Sequence, residues 1–134
     1  MHLQILTPEK TVFDGEAESV LAPGKSGVFE VLKGHAPLLA ALDPGNVRVI
    51  SEKKELHFHV SHGFFEFSRN RAVILADSAE RPGEIDAERA RAALERARKR
   101  LGQAGEVDVV RAQKALARAL SRERFKQKFL GGQE

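Results

Sequence analysis

One short stretch divides the chain into two parts of different character, and this division limits the folds available to it. Before Ile85, short runs rich in Val, Leu, Ile and Phe are interrupted by Gly and by all five Pro residues. After Ala90, the chain consists largely of Ala, Arg, Glu and Leu and contains no Pro. A strand-rich part followed by a helix-rich part predicts an α+β protein rather than alternating βα units.

The first part shows the period-2 pattern of half-buried strands. Apolar residues alternate with polar ones at Leu3 and Ile5, at Val47 and Val49, at Leu56, Phe58 and Val60, and at Phe65 and Phe67. Residues 72–75 form a continuous apolar run, and Leu38–Leu42 fits either a strand or a helical turn. Gly- and Pro-containing turns separate these segments, which predicts a β-sandwich or barrel.

The second part shows helical periodicity. After the breakers Pro82 and Gly83, Asp86 is a suitable N-cap for a first helix, and Asp108 for a second. Residues 102–105 contain two Gly and are expected to end the first helix, which predicts an antiparallel hairpin. The apolar stripes of both helices are mostly Ala, so the seam between them is thin and suited to an element that changes partners. The tail from Phe125 onward is expected to fray.

Charge is distributed unevenly along the chain. The net charge is +3 overall, but residues 1–80 carry −3 and residues 81–134 carry +6. The basic half suggests an anionic partner, although a solvated helical surface gives the same pattern. The absence of Cys excludes disulfides and thiol chemistry, and no apolar run reaches the length of a membrane span or a signal peptide core. These features are typical of a soluble intracellular protein.

Arginines at helical spacing form the strongest candidate site. Asp86, Arg89 and Arg96 share one face of the first helix, and Arg118 and Arg122 share one face of the second. A closed hairpin would bring these four guanidinium groups together, where a phosphate could bridge them. The alternative is two solvated helices whose arginines pair with Glu88, Glu95 and Glu123.

Other site patterns are weaker. His57 and His59 form an H-x-H pair near His62, but no third metal ligand is specified, so an exposed strand face is the favoured interpretation. No serine elbow, P-loop or dinucleotide fingerprint occurs, which indicates a non-enzyme. A nucleic-acid-binding module is a remote alternative, because the basic half is interspersed with acids and the chain has no Trp or Tyr.

The chain resembles the epsilon subunits of bacterial F-type ATP synthases over residues 3 to about 122. The matching segments, in family order, are LTPE with VF from Leu6, APG from Ala22, GHAPLLAAL from Gly34, PGNVR from Pro44, VSHGFFE from Val60, LADSAE from Leu75 and IDAERA from Ile85. The resemblance implies a ten-stranded β-sandwich at residues 1–84 and a two-helix hairpin at 85–134. It also implies a non-catalytic rotor subunit of the central stalk, peripheral on the cytoplasmic side of the cell membrane, which contacts the gamma subunit, the c ring and the alpha and beta subunits.

The resemblance further implies a regulatory ATP site in the folded hairpin. The family motif I/L-D-x-x-R-A is present at Ile85, Asp86, Arg89 and Ala90. The implied companion positions are Glu80, Arg96, Arg118 and Arg122, with Ile85, Asp86 and Glu80 near adenine and the arginines near the phosphates, with or without Mg²⁺. An extended hairpin would inhibit ATP hydrolysis. A static hairpin without a nucleotide site is the alternative.

The sequence departs from the family pattern at three places. Residues 27–33 lack the usual acid at Val28, which affects the c-ring contact expected of His35. His62 stands where the family usually has Gly, and Pro82-Gly83 makes an unusual link to the hairpin.

Overall fold

The computed structural model describes residues 1–85, 87–103 and 109–129. Ten strands come first within these residues: β1 His2–Leu6, β2 Thr11–Glu16, β3 Ser19–Gly24, β4 Gly27–Leu32, β5 Leu38–Leu42, β6 Gly45–Ser51, β7 Lys54–Val60, β8 Gly63–Ser68, β9 Arg71–Ala76 and β10 Ala79–Glu80. After a 3₁₀ turn at Pro82–Glu84 come two helices, α1 Ala87–Gln103 and α2 Val109–Lys128. The predicted fold class, a ten-stranded sandwich followed by two helices, is confirmed.

The strands form one continuous hydrogen-bonded path that encloses the core. Their order is β10-β7-β6-β3-β5-β8-β9-β1-β2, with β4 paired to β3. Strands β1 and β9 pair in parallel, and the other pairs are antiparallel. Strand β10 at one end pairs only through Ala79 with Val60 and Glu80 with His59, which fixes the short segment that leads to the helices.

The alternating residues predicted to face inward form this core. Leu3, Ile5, Val47, Val49 and the three phenylalanines Phe58, Phe65 and Phe67 are all at most 2% exposed. Fully burying one such side chain contributes about 1.5–3 kcal/mol. The sandwich is therefore held together by its own apolar interior.

Leu38–Leu42, which the sequence left open between helix and strand, is strand β5. It pairs antiparallel with β8 from Leu38 opposite Phe67 to Leu42 opposite Gly63. Without β5 the backbone groups along that edge of β8 would lack partners, so the pairing decides between two local conformations that the apolar run alone allows. Gly63 is required here because a Cβ at this position would lie 2.0 Å from the carbonyl oxygen of Leu75.

The helices pack on one another through a thin seam, as the alanine-rich stripes predicted. Leu94, Ala97 and Ala119 are buried there, with Ala115, Leu116 and Leu120 partly buried around them. Helix α1 ends at Gln103, within the segment 102–105 that was expected to stop it. The two predicted N-caps, Asp86 and Asp108, lie outside the described residues.

Helix α2 also packs against strands β6 and β7 of the sandwich. The tail that was expected to fray, residues 125–134, is helical over its first part, because α2 extends to Lys128 and Phe125 is only 5% exposed; residues 130–134 lie outside the described residues. Phe125 and Phe129 lie one helical turn apart and in edge-to-face contact, with ring centroids 4.9 Å apart. This aromatic pair anchors the end of the helix on the sandwich.

Candidate functional site

A cavity of about 450 Å³ lies where both helices meet the sandwich. Its polar and charged lining consists of His59, Ser61, Ser78, Glu80, Arg96, Arg100, Arg118 and Arg122. The remaining lining residues are Ala93, Ala97, Ala115 and Ala119. The alanines that make the seam thin therefore also leave room for a ligand between the helices.

Glu80 and Arg122 connect the sandwich to α2 at this cavity. Arg122 donates two hydrogen bonds, Nε to Oε1 at 2.7 Å and an Nη to Oε2 at 2.8 Å. This fork-to-fork geometry is the strong, directional form of a carboxylate–guanidinium pair. The side chains are only 23% and 30% exposed, so the pair is shielded from bulk water.

The cavity carries an excess of positive charge. Among its described lining residues, Glu80 is the only acid, against four arginines. Arg98, by contrast, is exposed and pairs with the exposed Glu95 at 3.4 Å. Guanidinium groups gathered in a confined space attract a multivalent anion, and their planar forks fit phosphate oxygens.

Arg89 lies in a second, smaller cavity that adjoins the first. This cavity measures about 360 Å³ and is lined by Glu84, Arg89, Ala93, Arg96 and Arg122. Three of these residues, Ala93, Arg96 and Arg122, also line the larger cavity. The structure thus brings all four predicted arginines around two connected spaces, as a closed hairpin should. Their role as nucleotide ligands stays a prediction.

The other predicted site residues lie at the base of the hairpin. Ile85 and Ala90 are 2% and 1% exposed, which fits a packing role where α1 leaves the sandwich. Asp86 lies outside the described residues. Arg100 lines the larger cavity although the motif does not include it. Its four-residue spacing from Arg96 was the signal that could have revealed it.

The link between the two parts is held in place by polar contacts. The Glu84 carboxylate accepts a hydrogen bond of 2.8 Å from the backbone N–H of Arg81. Lys126 of α2 donates a hydrogen bond of 3.0 Å to the carbonyl of Pro82, which is itself buried. The unusual Pro82-Gly83 link is therefore a defined 3₁₀ turn that α2 contacts directly.

The prediction of an exposed histidine face on β7 is wrong. His57 and His59 are 5% and 1% exposed because α2 covers them. The Phe129 ring lies 4.5 Å from that of His57, and the Phe125 ring stacks on His59 at 5.6 Å. No group of three potential metal ligands occurs among the residues that the structure describes. The signal for this interface was the i, i+4 spacing of the two phenylalanines.

His59 is held as a neutral imidazole. Burial is the main cause that lowers its pKa to about 4; Glu80 opposes this shift and the nearby Arg122 adds to it. Its Nε2 lies 2.8 Å from the hydroxyl of Ser121. Burial also lowers the pKa of His62, with Arg118 and Lys114 acting in the same direction.

His35, the expected c-ring contact, lies in the turn before β5. It is exposed, and its Nδ1 lies 2.6 Å from the carbonyl of Ala36. The segment around Val28 forms strand β4, with Val28 69% exposed and Leu32 55% exposed. The contact itself stays a prediction. Within the described residues, neither helix has the length and apolar character needed to cross a membrane.

Comparison with known proteins gives consistent matches. The family model for the beta-sandwich domain of ATP synthase delta/epsilon chains matches residues 1–82, and the model for the long alpha-helix domain matches residues 84–126. The ATP synthase epsilon chain of Desulforamulus reducens is 50% identical over 99 residues, which cover 74% of this chain and 75% of that protein. The corresponding chain of an Anaeromyxobacter species is 45% identical over 101 residues, covering 75% and 76%.

A solved structure shows the same fold. A chain in the cryo-EM structure of the Euglena gracilis mitochondrial ATP synthase, OSCP/F1/c-ring, superposes with a TM-score of 0.79 at 25% identity. The match covers 91% of this chain and 78% of that one.

Proposed function

The chain belongs to the ATP synthase delta/epsilon family, and on that premise we propose that it is a rotor subunit of the central stalk of a proton-translocating F-type ATP synthase. In this role the sandwich binds the gamma subunit and the c ring, and the subunit lies at the cytoplasmic face of the cell membrane through the complex. It is not itself catalytic. The match of both family domains over nearly the whole chain supports this assignment.

The hairpin is proposed to regulate ATP hydrolysis. Docked on the sandwich, it permits hydrolysis, and extended along gamma towards the alpha and beta subunits, it inhibits hydrolysis. Two structural features support such exchange. Half of the seam between the helices is alanine, and α2 is attached to the sandwich at a few discrete points, chiefly Glu80–Arg122 and the two phenylalanines.

ATP is proposed to bind the docked hairpin in the arginine-lined cavity, and this cavity is the observation that carries the proposal. Its volume of about 450 Å³ lies within the range of about 300–1,000 Å³ typical of ligand pockets. Arg96 and Arg118 supply forked donors for the phosphates with Arg122 beside them, and the Glu80 carboxylate, while paired with Arg122, supplies a further acceptor for the exocyclic amine of adenine. If ATP binds with Mg²⁺, the phosphate oxygens would hold the ion.

A ligand that binds only the docked state shifts the population towards it. The shift in free energy is RT ln(1 + [L]/Kd), about 1.4 kcal/mol when ATP is ten times Kd. A shift of this size changes the ratio of docked to extended hairpin about tenfold. ATP would thus oppose inhibition of hydrolysis when its concentration is high.

Titration calorimetry with ATP on the intact chain tests the nucleotide site. We expect saturable heat for the wild type and loss of binding for Arg118→Ala. Arg98→Ala is the matched control, because Arg98 pairs with Glu95 outside the cavity and its removal should leave the affinity unchanged. Absence of heat for the wild type would favour the static hairpin. Tight, salt-sensitive binding to random-sequence DNA would instead favour the nucleic-acid module.

The regulatory role requires the assembled enzyme. Removal of the chain after Glu84 leaves the sandwich but deletes both helices. We expect the truncated subunit to assemble and to relieve inhibition of ATP hydrolysis at low ATP. Unchanged hydrolysis at every ATP concentration would contradict an inhibitory hairpin.

A further inference from the structure

A buried histidine lies at the main contact between α2 and the sandwich. His59 is 1% exposed, its Nε2 meets the Ser121 hydroxyl at 2.8 Å, and the Phe125 ring stacks on its imidazole. Both contacting side chains belong to α2, whereas His59 belongs to β7. Undocking of α2 would therefore remove the cover from His59 and expose it to water.

The two ring nitrogens of His59 have different surroundings. Nε2 has its partner in Ser121, whereas the buried Nδ1 has no hydrogen-bond partner among the described residues. A protonated imidazole carries a donor on both nitrogens, so the docked state would then hold an unsatisfied N–H as well as a buried charge. The docked geometry thus accepts the neutral ring and disfavours the cation.

Charged groups around His59 do not reverse this preference. Glu80 of β10 favours the cation and Arg122 of α2 opposes it, but these two side chains are already paired with each other. The other charged groups among the described residues that line the same cavity are Arg96 and Arg100 of α1 and Arg118 of α2. All three are cations, so the surroundings contributed by the helices are positive.

We infer that His59 is a positioning residue through which a proton controls the docking of α2, so that protonation of its imidazole releases the helix and separates the groups of the ATP site. The site needs the docked state because Glu80 comes from the sandwich, Arg96 from α1 and Arg118 from α2. The inference rests on the proposed mobility of the hairpin. Acidification would then act against ATP and favour the extended, inhibitory state.

The sign and size of the effect follow from the two protonation equilibria. Burial in the docked state lowers the pKa of His59 from 6.5 to about 4, whereas exposure after undocking restores the ordinary value. Docking is therefore fully favourable above about pH 6.5 and weakens as the pH falls towards 4. At about pH 5.5 the docking equilibrium constant should be about tenfold smaller than at neutral pH.

Fluorescence energy transfer on the full chain, without nucleotide, measures docking directly. The chain has no Cys, so dyes at Lys54→Cys on β7 and Gln113→Cys on α2, both exposed positions, label the sandwich and the helix selectively. At a temperature where both states are populated at pH 7.5, we expect the tenfold fall at about pH 5.5 for the wild type. His59→Gln, which keeps a polar group for Ser121, should lose most of this response.

Two histidine controls locate the effect. His35→Gln changes an exposed histidine away from α2 and should retain the full response, and His62→Gln, at the less buried edge of the interface, should retain most of it. A wild type without pH response, a full response in His59→Gln, or loss of the response in His62→Gln would each overturn the inference. If His59→Gln does not dock, the His59 pKa measured by NMR in the wild type decides, since a value at or above 6.5 excludes the proposed control.

The experiment separates this inference from the proposed ATP site. Docking is measured in the absence of ATP, so a pH-dependent equilibrium supports the role of His59 even if calorimetry detects no nucleotide. Conversely, saturable ATP binding at pH 7.5 with pH-independent docking would keep the ATP site and refute the proton control.

Discussion

The Glu80–Arg122 pair should contribute measurably to docking, and a double-mutant cycle measures how much. Two charge-assisted hydrogen bonds of 2.7 and 2.8 Å join β10 to α2, with side chains 23% and 30% exposed. Exposed pairs contribute about 0–1 kcal/mol, and breaking a fully buried pair costs about 3–5 kcal/mol. For this intermediate burial we expect a coupling of about 1–2 kcal/mol, or about a 5- to 30-fold change in the docking equilibrium.

The cycle combines Glu80→Gln, Arg122→Gln and the double variant, with docking measured by energy transfer between residues 54 and 113. The exposed pair Glu95–Arg98 of α1, at 3.4 Å, is the matched control and should show a coupling below about 0.5 kcal/mol. An equally small coupling for Glu80 and Arg122 would refute the view that this pair holds α2 on the sandwich.

Three further predictions concern the aromatic anchor, a close backbone contact and the cavity. Phe125→Ala removes the buried ring stacked on His59 and should weaken docking by about 3 kcal/mol in the energy-transfer assay, without lowering the melting temperature of the sandwich. Gly63→Ala should destabilise the sandwich by at least about 2 kcal/mol in urea unfolding, because its Cβ would meet the Leu75 carbonyl, whereas Gly83→Ala, with open space around it, should be neutral. Arg100→Ala should weaken ATP binding in calorimetry, since Arg100 lines the same cavity as the motif arginines; unchanged affinity would place it outside the site.

Much of the sandwich could be predicted because its strands carry a period-2 pattern that burial imposes. Phe65 and Phe67 face the core while Phe64 is 57% exposed, as alternation requires. Leu38–Leu42 could not be assigned in the same way, because a short apolar run fits two conformations. Pairing with β8 makes this run a strand, and that long-range pairing cannot be inferred from the local sequence.

The interface of the sandwich with α2 could not be predicted from β7 alone. His57 and His59 are polar residues on the outward face of a strand, a pattern typical of exposure. They are buried because Phe125 and Phe129, about seventy residues further along the chain, pack on them. The length of α2 was underestimated for a similar reason. The many charged residues of the tail indicated exposure, although Phe125 and Phe129, one turn apart, pack on the sandwich.

For the arginines around the cavity, by contrast, helical spacing was sufficient to predict which of them lie close together. Arg118 and Arg122 had to share a face of α2, and a hairpin had to bring that face near Arg96. The spacing gave no information about Ser61 and Ser78 of the cavity lining, because these come from the strand ends that the helices cover. The geometry of the arginines indicates only that the ligand is an anion. The expectation that this anion is ATP comes from the resemblance to a known family.

The central claim is that ATP binds the docked hairpin and holds it in place. An ATP titration that follows energy transfer between residues 54 and 113 at pH 7.5 tests both parts together. We expect a saturable rise in the docked fraction for the wild type, about tenfold in the equilibrium constant at ten times Kd, and no rise for Arg118→Ala. A docked fraction that stays constant as ATP is added, at a temperature where both states are populated, would contradict the account.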